Sequence, residues 1–215
     1  MKFKIGNTAW TLIGFFLVFL GILAFYNGFN SVGLSGILWF SYTALFLIGI
    51  GILTRNSYLI ASQLNIILIP YIFWNIDFFY VLLTGNTLWG VTNYFFQPRP
   101  FLAQLISMQH VFIVPLALLA IYFIKLKRKD FWKLSIIQVA VFFFLVRFLS
   151  NVEGNVNCVF ENCLGFYINP MIYPILWFLA YFVMIALTTF LMTNVKVFNK
   201  TKINQKLIRD KCLSN

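Results

Sequence analysis

Three ionisable residues lie inside long apolar runs of this sequence, namely Asp77, His110 and Arg147. An ionisable group inside a membrane span costs roughly 2.5–3.5 kcal/mol on insertion scales, so such residues commonly mark functional sites. An imidazole can serve as a general base, a carboxylate can orient it, and a guanidinium can hold a carboxylate or a phosphate. Thr43, in a fourth apolar run, adds a hydroxyl that such a base can activate.

The positions of these four residues predict that they share one layer of the bilayer. At a helical rise of ~1.5 Å per residue, Thr43 and His110 lie ~13 Å from the outer ends of their runs. By the same estimate Asp77 lies ~9 Å and Arg147 ~5 Å from theirs. Four helices therefore bring polar groups into the same outer half. This predicts one polar pocket that opens outward or sideways into the outer leaflet.

A purely structural explanation of the same residues stays open. Asp77 and Arg147 could neutralise each other as an ion pair, and His110 and Ser107, one helical turn apart, could link helices. Threonine in a membrane helix commonly bonds the carbonyl four residues earlier. The candidate substrate-binding residues are Arg147, Asn75, Ser107 and Gln109.

Two cysteines lie five positions apart in the last hydrophilic loop, Cys158 and Cys163. If that loop faces an oxidising compartment, a disulfide between them can persist and hold the loop over the end of the bundle. Zinc is the competing interpretation. Tetrahedral sites need four ligands, and the only histidine, His110, lies in a helix. The sequence favours a disulfide over free thiols, and it indicates no metal and no cofactor.

The composition indicates the class of protein that must position these residues. The chain has 215 residues, of which 61% are hydrophobic, 20% aromatic and 10% charged, against ~25% charged in average soluble domains. A soluble globule of this length would expose large apolar patches, so a soluble enzyme, a disordered protein and a disulfide-stapled secreted mini-protein are excluded. We predict an all-α bundle whose apolar runs are Trp10–Tyr26, Leu34–Leu53, Tyr58–Leu83, Phe101–Ile124, Phe131–Ser150 and Ile168–Met192.

The placement of the basic residues predicts the orientation of the bundle. The net charge is +11, and Lys and Arg concentrate in cytosolic loops of membrane proteins. With both termini inside the cell, the basic clusters around Lys2, Arg55 and 125–133 share the cytosolic side. Residues 1–194 then form a six-helix transmembrane domain, and residues 195–215 form a basic cytosolic tail. The prediction is a multi-pass protein of the plasma membrane or an endomembrane.

The expected partners follow from the same basic clusters. The clusters flank apolar runs and accompany no nucleic-acid motif, so we expect membrane lipids, with anionic headgroups at the basic tail, and no nucleic acid. The tail alternates basic with apolar residues, which is typical of a surface-lying amphipathic helix, although a solvated tail is an equal alternative. The sequence carries no signal for an oligomeric state. Residues 84–100, which are rich in aromatic residues, are expected to form an interfacial lid or half-helix.

Three short segments carry a resemblance to a known family. The run from Trp39 to Thr43 resembles an aromatic stretch that leads to an intramembrane threonine. The run from Met108 to Pro115 resembles a histidine followed five residues later by proline, and Tyr173-Pro174 resembles a Tyr-Pro that opens a last span. These segments are similar to the six-span androgen-induced membrane family, which hydrolyses fatty acid esters of hydroxy fatty acids. They are similar also to its bacterial relatives and its eukaryotic acyltransferase cousins.

The resemblance implies a function for two residues of this chain. The family's threonine nucleophile and its histidine fall on Thr43 and His110, which implies an intramembrane lipid-ester hydrolase or acyltransferase. Asp77 would then orient the imidazole as the acid of a triad. Val111 departs from the small polar residue expected after the histidine. The alternative is a non-catalytic protein with a polar intramembrane pocket, such as a small transporter, a channel subunit or a lipid-binding scaffold.

Overall fold

The structure is a computed structural model that describes residues 7–164 and 166–199. It is all-helical, as predicted, and the described residues contain no β-sheet. The α-helices are α1 Asn7–Val32, α2 Phe40–Leu53, α3 Ser57–Thr84, α4 Asn93–Phe96, α5 Phe101–Ser107, α6 Gln109–Ile124, α7 Trp132–Leu149 and α8 Tyr173–Asn194. Three short 3₁₀ helices lie at Gly33–Leu38, Val156–Cys158 and Lys196–Phe198.

Five long helical stretches of the described chain are apolar enough to cross a membrane. They are Thr8–Leu38, Ser57–Thr84, Phe101–Ile124, Trp132–Leu149 and Tyr173–Asn194. The predicted second run differs, because the structure divides it into the 3₁₀ helix Gly33–Leu38 and the 14-residue α2. The break falls at Trp39, whose φ and ψ of −59° and 124° lie outside the helical region. The helices are compatible with a multi-pass membrane protein.

Helices α1 and α2 pack so closely because glycines remove side chains from their interface. A Cβ added to Gly21 would lie 2.8 Å from the Cβ of Phe46 on α2, and one on Gly49 would lie 2.8 Å from the backbone nitrogen of Val18. The backbones of Gly28 and Gly36 are in direct contact. Small residues allow such approaches between membrane helices, where association depends on van der Waals packing.

A buried polar network joins α3 to α7 and α8. The side-chain amides of Gln63 and Gln138 exchange hydrogen bonds of 2.9 and 3.2 Å. Asn65 donates to the hydroxyl of Ser135 and accepts a bond from Thr189 of α8. Since unpaired polar groups are costly in hydrocarbon, the network explains these polar residues as links between helices.

Contacts between loops show which turns of the chain lie at each end of the bundle. At one end, here called the basic end, Tyr58 lies beside Asp130, and Lys125 donates to the carbonyl of Val197 at 2.7 Å. The residues around Arg55, the 125–133 cluster and Lys196–Phe198 therefore share this end. Beyond residue 199 the basic tail, including the predicted amphipathic helix, lies outside the described residues.

The predicted disulfide between Cys158 and Cys163 is confirmed, with Cα atoms 5.7 Å apart. Its loop is held at the opposite end of the bundle by Asn157, which is 7% exposed. The Asn157 side chain accepts a 2.8 Å bond from the N–H of Phe40 and donates a 2.7 Å bond to the carbonyl of Leu38. Trp177 of α8 donates to the Asn157 carbonyl. The loop therefore caps α2 and fastens it to α8.

Candidate functional site

One face of α3 forms the wall of a polar site near the middle of the bundle. Tyr71, Trp74, Asn75 and Phe78 recur at the i, i+3, i+4, i+7 spacing that places residues on one helical face. Tyr71 and Trp74 are 4% and 6% exposed. They follow Pro70, which lacks an N–H and therefore disturbs the helical hydrogen bonding just before this face.

His110 of α6 packs between two of these rings. Its ring centroid lies 4.3 Å from that of Tyr71 and 4.6 Å from that of Trp74, with Trp74 stacked on it. The Nδ1 atom lies 2.8 Å from the carbonyl oxygen of Ser107. A carbonyl can only accept, so Nδ1 carries the proton and Nε2 presents a lone pair. Nε2 forms no hydrogen bond with any described residue.

An irregular helix positions His110. The helical stretch Phe101–Ile124 is interrupted at Met108, between α5 and α6. Pro115 lies inside α6 and cannot donate to the carbonyl of Val111. Breaks in membrane helices are tolerated where neighbouring groups satisfy the freed backbone, and they are common at binding sites. Here Asn75 bridges the two helices, donating 2.7 Å bonds to the carbonyls of Tyr71 and His110.

Asp77 holds the segment 85–100, here called the lid, against the C-terminal end of α3. The carboxylate is fully buried and accepts five hydrogen bonds from the lid. One oxygen accepts from the backbone N–H groups of Leu88, Trp89 and Gly90 at 3.0, 2.8 and 3.3 Å. The other accepts from the N–H and the hydroxyl of Thr92 at 2.9 and 2.7 Å. These bonds satisfy the buried charge and fix the lid.

The aromatic residues of the lid cover the His110 site. Trp74 donates from Nε1 to the hydroxyl of Tyr94 at 2.9 Å, and Phe95 and Phe96 pack on Phe78. The guanidinium carbon of Arg99 lies 4.9 Å from the centroid of the Tyr94 ring. The lid therefore places a phenol and a cation above the α3 face.

Two residues next to His110 carry buried polar atoms with no partner among the described residues. One is Tyr71, whose ring packs on the imidazole and whose hydroxyl is unpartnered, and the other is Gln109, the preceding residue of α6, with both side-chain amide atoms unpartnered. Tyr42 of α2 and Tyr94 of the lid lie close to Tyr71, so three phenols from α2, α3 and the lid are near one another. Unpaired buried polar groups each cost about 1–3 kcal/mol, so such a group is a natural place for a polar ligand.

The structure does not bring Thr43 and His110 together by a hydrogen bond. Thr43 is half-buried on α2, and its side chain bonds no described residue. Its neighbour Tyr42 is the α2 residue that lies close to Tyr71 and Arg99. Since successive helical residues point about 100° apart, Thr43 faces a different direction from Tyr42. Contact between Thr43 and His110 remains a prediction.

Asp77 and Arg147 are also apart, and they form no ion pair with each other among the described residues. The Arg147 guanidinium donates to the carbonyl of Val159 at 3.4 Å and lies between the rings of Phe143 and Phe160, 5.3 and 5.2 Å from their centroids. Arg147 thus belongs to the disulfide loop. The group that orients the His110 imidazole is the Ser107 carbonyl, and the Asp77 carboxylate instead fixes the lid.

Sequence reasoning located His110 and its neighbours but missed the aromatic residues around it. Ser107 donates its hydroxyl to the Ala103 carbonyl, and its own carbonyl serves His110. Trp74 and Tyr71 lie about one and two helical turns before Asp77 on α3, and this spacing was a sequence signal for them. The signal was weak because the chain contains many other aromatic residues. No group of three or more metal-ligating side chains lies together in the described part of the chain.

Comparison with known proteins finds no match. No family model, no curated protein and no solved structure matches the chain. The function must therefore be argued from the geometry of the site.

Proposed function

We propose that the protein binds a membrane lipid at His110, in the outer half of the bilayer and beneath the lid. The observation that carries the proposal is the pair of unpartnered polar atoms at the His110 ring, its Nε2 and the hydroxyl of the adjoining Tyr71, with the Gln109 amide at the preceding position of α6. Five buried side-chain polar atoms of the described residues have no partner, and three of them belong to Tyr71 and Gln109. The other two, the hydroxyls of Ser57 and Thr188, are single groups on other parts of the bundle.

The chemistry of these atoms suits the polar part of an acyl lipid. His110 Nε2 accepts a hydrogen bond, the Tyr71 hydroxyl can donate one, and the Gln109 amide can do both. An ester or hydroxyl group beside the imidazole can bond Nε2 and the Tyr71 hydroxyl, and Gln109 offers a further polar group one position earlier on α6. Arg99 lies at the lid with its side chain exposed, where it can meet an anionic headgroup. The acyl chains would lie along the exposed apolar faces of the helices.

The proposal includes the orientation predicted from the sequence, with six spans and both termini in the cytosol. The 3₁₀ helix Gly33–Leu38 adds ~12 Å at ~2.0 Å per residue to the ~21 Å of α2 at ~1.5 Å per residue. Together they match a hydrocarbon core of ~30 Å. The basic end would face the cytosol and the disulfide loop the oxidising side.

A second candidate function is hydrolysis or transfer of the acyl group of such a lipid. It is favoured by the state of His110, because a proton fixed on Nδ1 leaves Nε2 able to act as a general base. In this scheme the Thr43 hydroxyl attacks the ester carbonyl carbon and passes its proton to Nε2. The imidazolium then protonates the departing alkoxide, and water or a second alcohol releases the acyl group from Thr43. The scheme requires α2 to bring Thr43 within hydrogen-bond reach.

The test of lipid binding uses the purified protein in nanodiscs that contain a diacyl lipid ester with a photoreactive acyl chain. We expect crosslinks on α3 and α6 near His110, reduced about fivefold by His110→Phe or Gln109→Leu, as loss of about 1 kcal/mol implies. The matched control is Thr188→Val, which removes another buried and unpartnered hydroxyl, on α8. Equal crosslinking in the parent and in His110→Phe contradicts lipid binding at this site.

The test of catalysis follows fatty acid release or acyl transfer from the same ester. The hydrolase scheme predicts that Thr43→Val and His110→Phe each abolish turnover, whereas Thr188→Val preserves it. If Thr43→Val turns over the ester as fast as the parent, the threonine mechanism fails, but lipid binding at His110 is unaffected.

A further inference from the structure

A polar cavity of about 330 Å³ lies at the basic end of the bundle, at the opposite end from the lid. It is formed where the α2–α3 turn meets the loop before α7. Its volume falls within the ~300–1,000 Å³ range that is typical of small-ligand sites. The lining residues are Thr54, Arg55, Asn56, Ser57, Tyr58, Lys127 and Arg128.

Three of the described lining residues are cations, and none of the described lining residues is acidic. The carboxylate of Asp130 accepts bonds of 3.0 and 2.7 Å from the Nε and Nη2 of Arg128. This hydrogen-bonded pairing lowers the pKa of Asp130, so the carboxylate stays charged at neutral pH. Asp130 offsets the charge of Arg128 in part, and Lys127 adds a second cation to the lining.

The side chain of Arg128 is held in place by Tyr58 and Asp130. Its guanidinium carbon lies 4.6 Å from the centroid of the Tyr58 ring, and its pairing with Asp130 uses only Nε and Nη2. The remaining Nη1 protons are available to a second anion. Arg guanidinium groups commonly bind carboxylate or phosphate oxygens in this way.

Ser57 supplies an unused hydroxyl at the same place. It is the first residue of α3, is 1% exposed, lines the cavity, and has a buried Oγ with no partner among the described residues. Asn56 already caps the helix by accepting from the N–H groups of Tyr58 and Leu59. The positive end of the 28-residue helix adds to the attraction for an anion. The Ser57 hydroxyl is thus left to a ligand.

The backbone of the turn fixes one wall of the cavity. Arg55 adopts a φ of 51°, in the left-handed region that non-glycine residues rarely enter. The turn is held by the bonds from the N–H of Thr54 to Ile50 and from the N–H of Asn56 to Gly51. These bonds place Thr54, Arg55 and Asn56 at the rim of the cavity.

From this cavity we infer a binding site for a phosphate group that carries close to two negative charges. Such a group is a phosphomonoester, whose dianion and three terminal oxygens match several cations and a hydroxyl better than a singly charged phosphodiester does. The phosphate can come from a phosphomonoester lipid in the adjoining leaflet or from a soluble phosphate. The site is independent of the lipid site proposed at His110.

The experiment compares lipid adducts of the purified full-length protein by native mass spectrometry. The probes are dioleoyl phosphatidic acid, a phosphomonoester, and dioleoyl phosphatidylglycerol, a phosphodiester, with inorganic phosphate as the soluble competitor. The cavity variants are the double variant Arg55→Gln/Lys127→Gln and the single variant Ser57→Ala. The matched control is Lys129→Gln/Lys196→Gln, which removes the same charge from the same end without touching the cavity.

We expect the parent to retain phosphatidic acid in preference to phosphatidylglycerol. The cavity double variant should lose that binding at least about tenfold, as loss of charged hydrogen bonds implies, and the control should stay within about twofold of the parent. Ser57→Ala should lower it by a smaller factor. Displacement by inorganic phosphate identifies a soluble phosphate as the ligand, and its absence identifies the lipid.

Two results would overturn the inference. One is equal retention of the two lipids by the parent. The other is an equal loss in the cavity and control variants, which would show that only the overall charge of the basic end matters. Monodisperse elution of each variant and an unchanged melting temperature separate loss of the site from loss of the fold. If Arg55→Gln/Lys127→Gln does not fold, Ser57→Ala carries the test, and undiminished binding by Ser57→Ala then overturns the inference.

Discussion

Asp77 shows how a single buried charge can be satisfied by the backbone of a neighbouring segment. Its carboxylate accepts five hydrogen bonds from the lid, four of them from backbone N–H groups. Hydrogen bonds to a charged acceptor are worth about 1.5–3 kcal/mol each, so the set offsets the cost of burying the charge. An aspartate in an apolar run here organises a loop of the backbone, and the loop in turn covers His110.

We predict that Asp77→Asn loosens the lid. The amide nitrogen that replaces one carboxylate oxygen cannot accept from Thr92, and the remaining oxygen loses its charge. Loss of about 3 kcal/mol of local stability should speed hydrogen exchange of the lid amides, from Leu88 to Thr92, by about a hundredfold. Asp130→Asn is the control, because it removes a carboxylate at the basic end. Unchanged protection of the lid in Asp77→Asn would show that these bonds do not hold it.

At the residue scale the sequence did not reveal the partners of the predicted site residues. The structure places Asp77 and His110 in contact with neighbouring segments, Asp77 at the lid and His110 at the α3 face that the lid covers. Their partners came from nearby chain, since Asp77 bonds the lid 11 to 15 residues later and His110 bonds the carbonyl of Ser107. Such pairings depend on how a loop folds back, which side-chain types do not reveal.

Among the elements, α2 depends on a side chain that lies more than a hundred residues away. Asn157 bonds the N–H of Phe40 and the carbonyl of Leu38, at the break between the 3₁₀ helix and α2. We predict that Asn157→Ala lowers the free energy of unfolding by about 2 kcal/mol, because both buried backbone groups lose their partner. Chemical denaturation in detergent measures the change. Asn30→Ala, at an exposed position near the end of α1, is the matched control and should change stability by less than about 0.5 kcal/mol.

The close contact of Gly28 and Gly36 gives a second prediction, which concerns how the 3₁₀ helix packs on α1. We expect Gly36→Val to lower the free energy of unfolding by about 1–3 kcal/mol, because its side chain would overlap the backbone of Gly28. At about 2–4 °C per kcal/mol for a chain of this size, the melting temperature should fall accordingly. Leu34→Val, in the same 3₁₀ helix but 52% exposed, is the control. An equal effect of both variants would mean that the contact is not tight.

The sequence predicted the helices well and their interruptions poorly. Apolar runs set where α3, α7 and α8 lie, because length and hydropathy decide which segments can cross a bilayer. The division of the run Leu34–Leu53 was not expected. It comes from the packing of Gly36 on α1 and from the bonds to Asn157 at the break. Both causes are tertiary contacts, which a local pattern does not contain.

At the scale of the whole molecule, the bundle separates two chemically different ends. The basic end gathers the α2–α3 turn, the loop before α7 and the segment after α8, whereas the lid and the disulfide loop lie at the other end. The sequence predicted this grouping from charge alone, because Lys and Arg are retained on the cytosolic side during insertion. The two proposed sites lie at different ends, the phosphate site at the basic end and the lipid site beneath the lid.

The last prediction tests whether α2 crosses the membrane. In a Cys212→Ser background we expect a membrane-impermeant maleimide to label Asn30→Cys and Glu153→Cys on intact cells, and Thr54→Cys only after permeabilisation. All three positions are exposed on the protein, so access depends on the side of the membrane. Labelling of every variant in detergent is the control. Because only the 3₁₀ helix Gly33–Leu38 and α2 lie between Asn30 and Thr54, labelling of Thr54→Cys on intact cells would mean that this segment returns to the outer surface. The basic cavity would then lie on the same side as the lid, and charge would not have set the orientation.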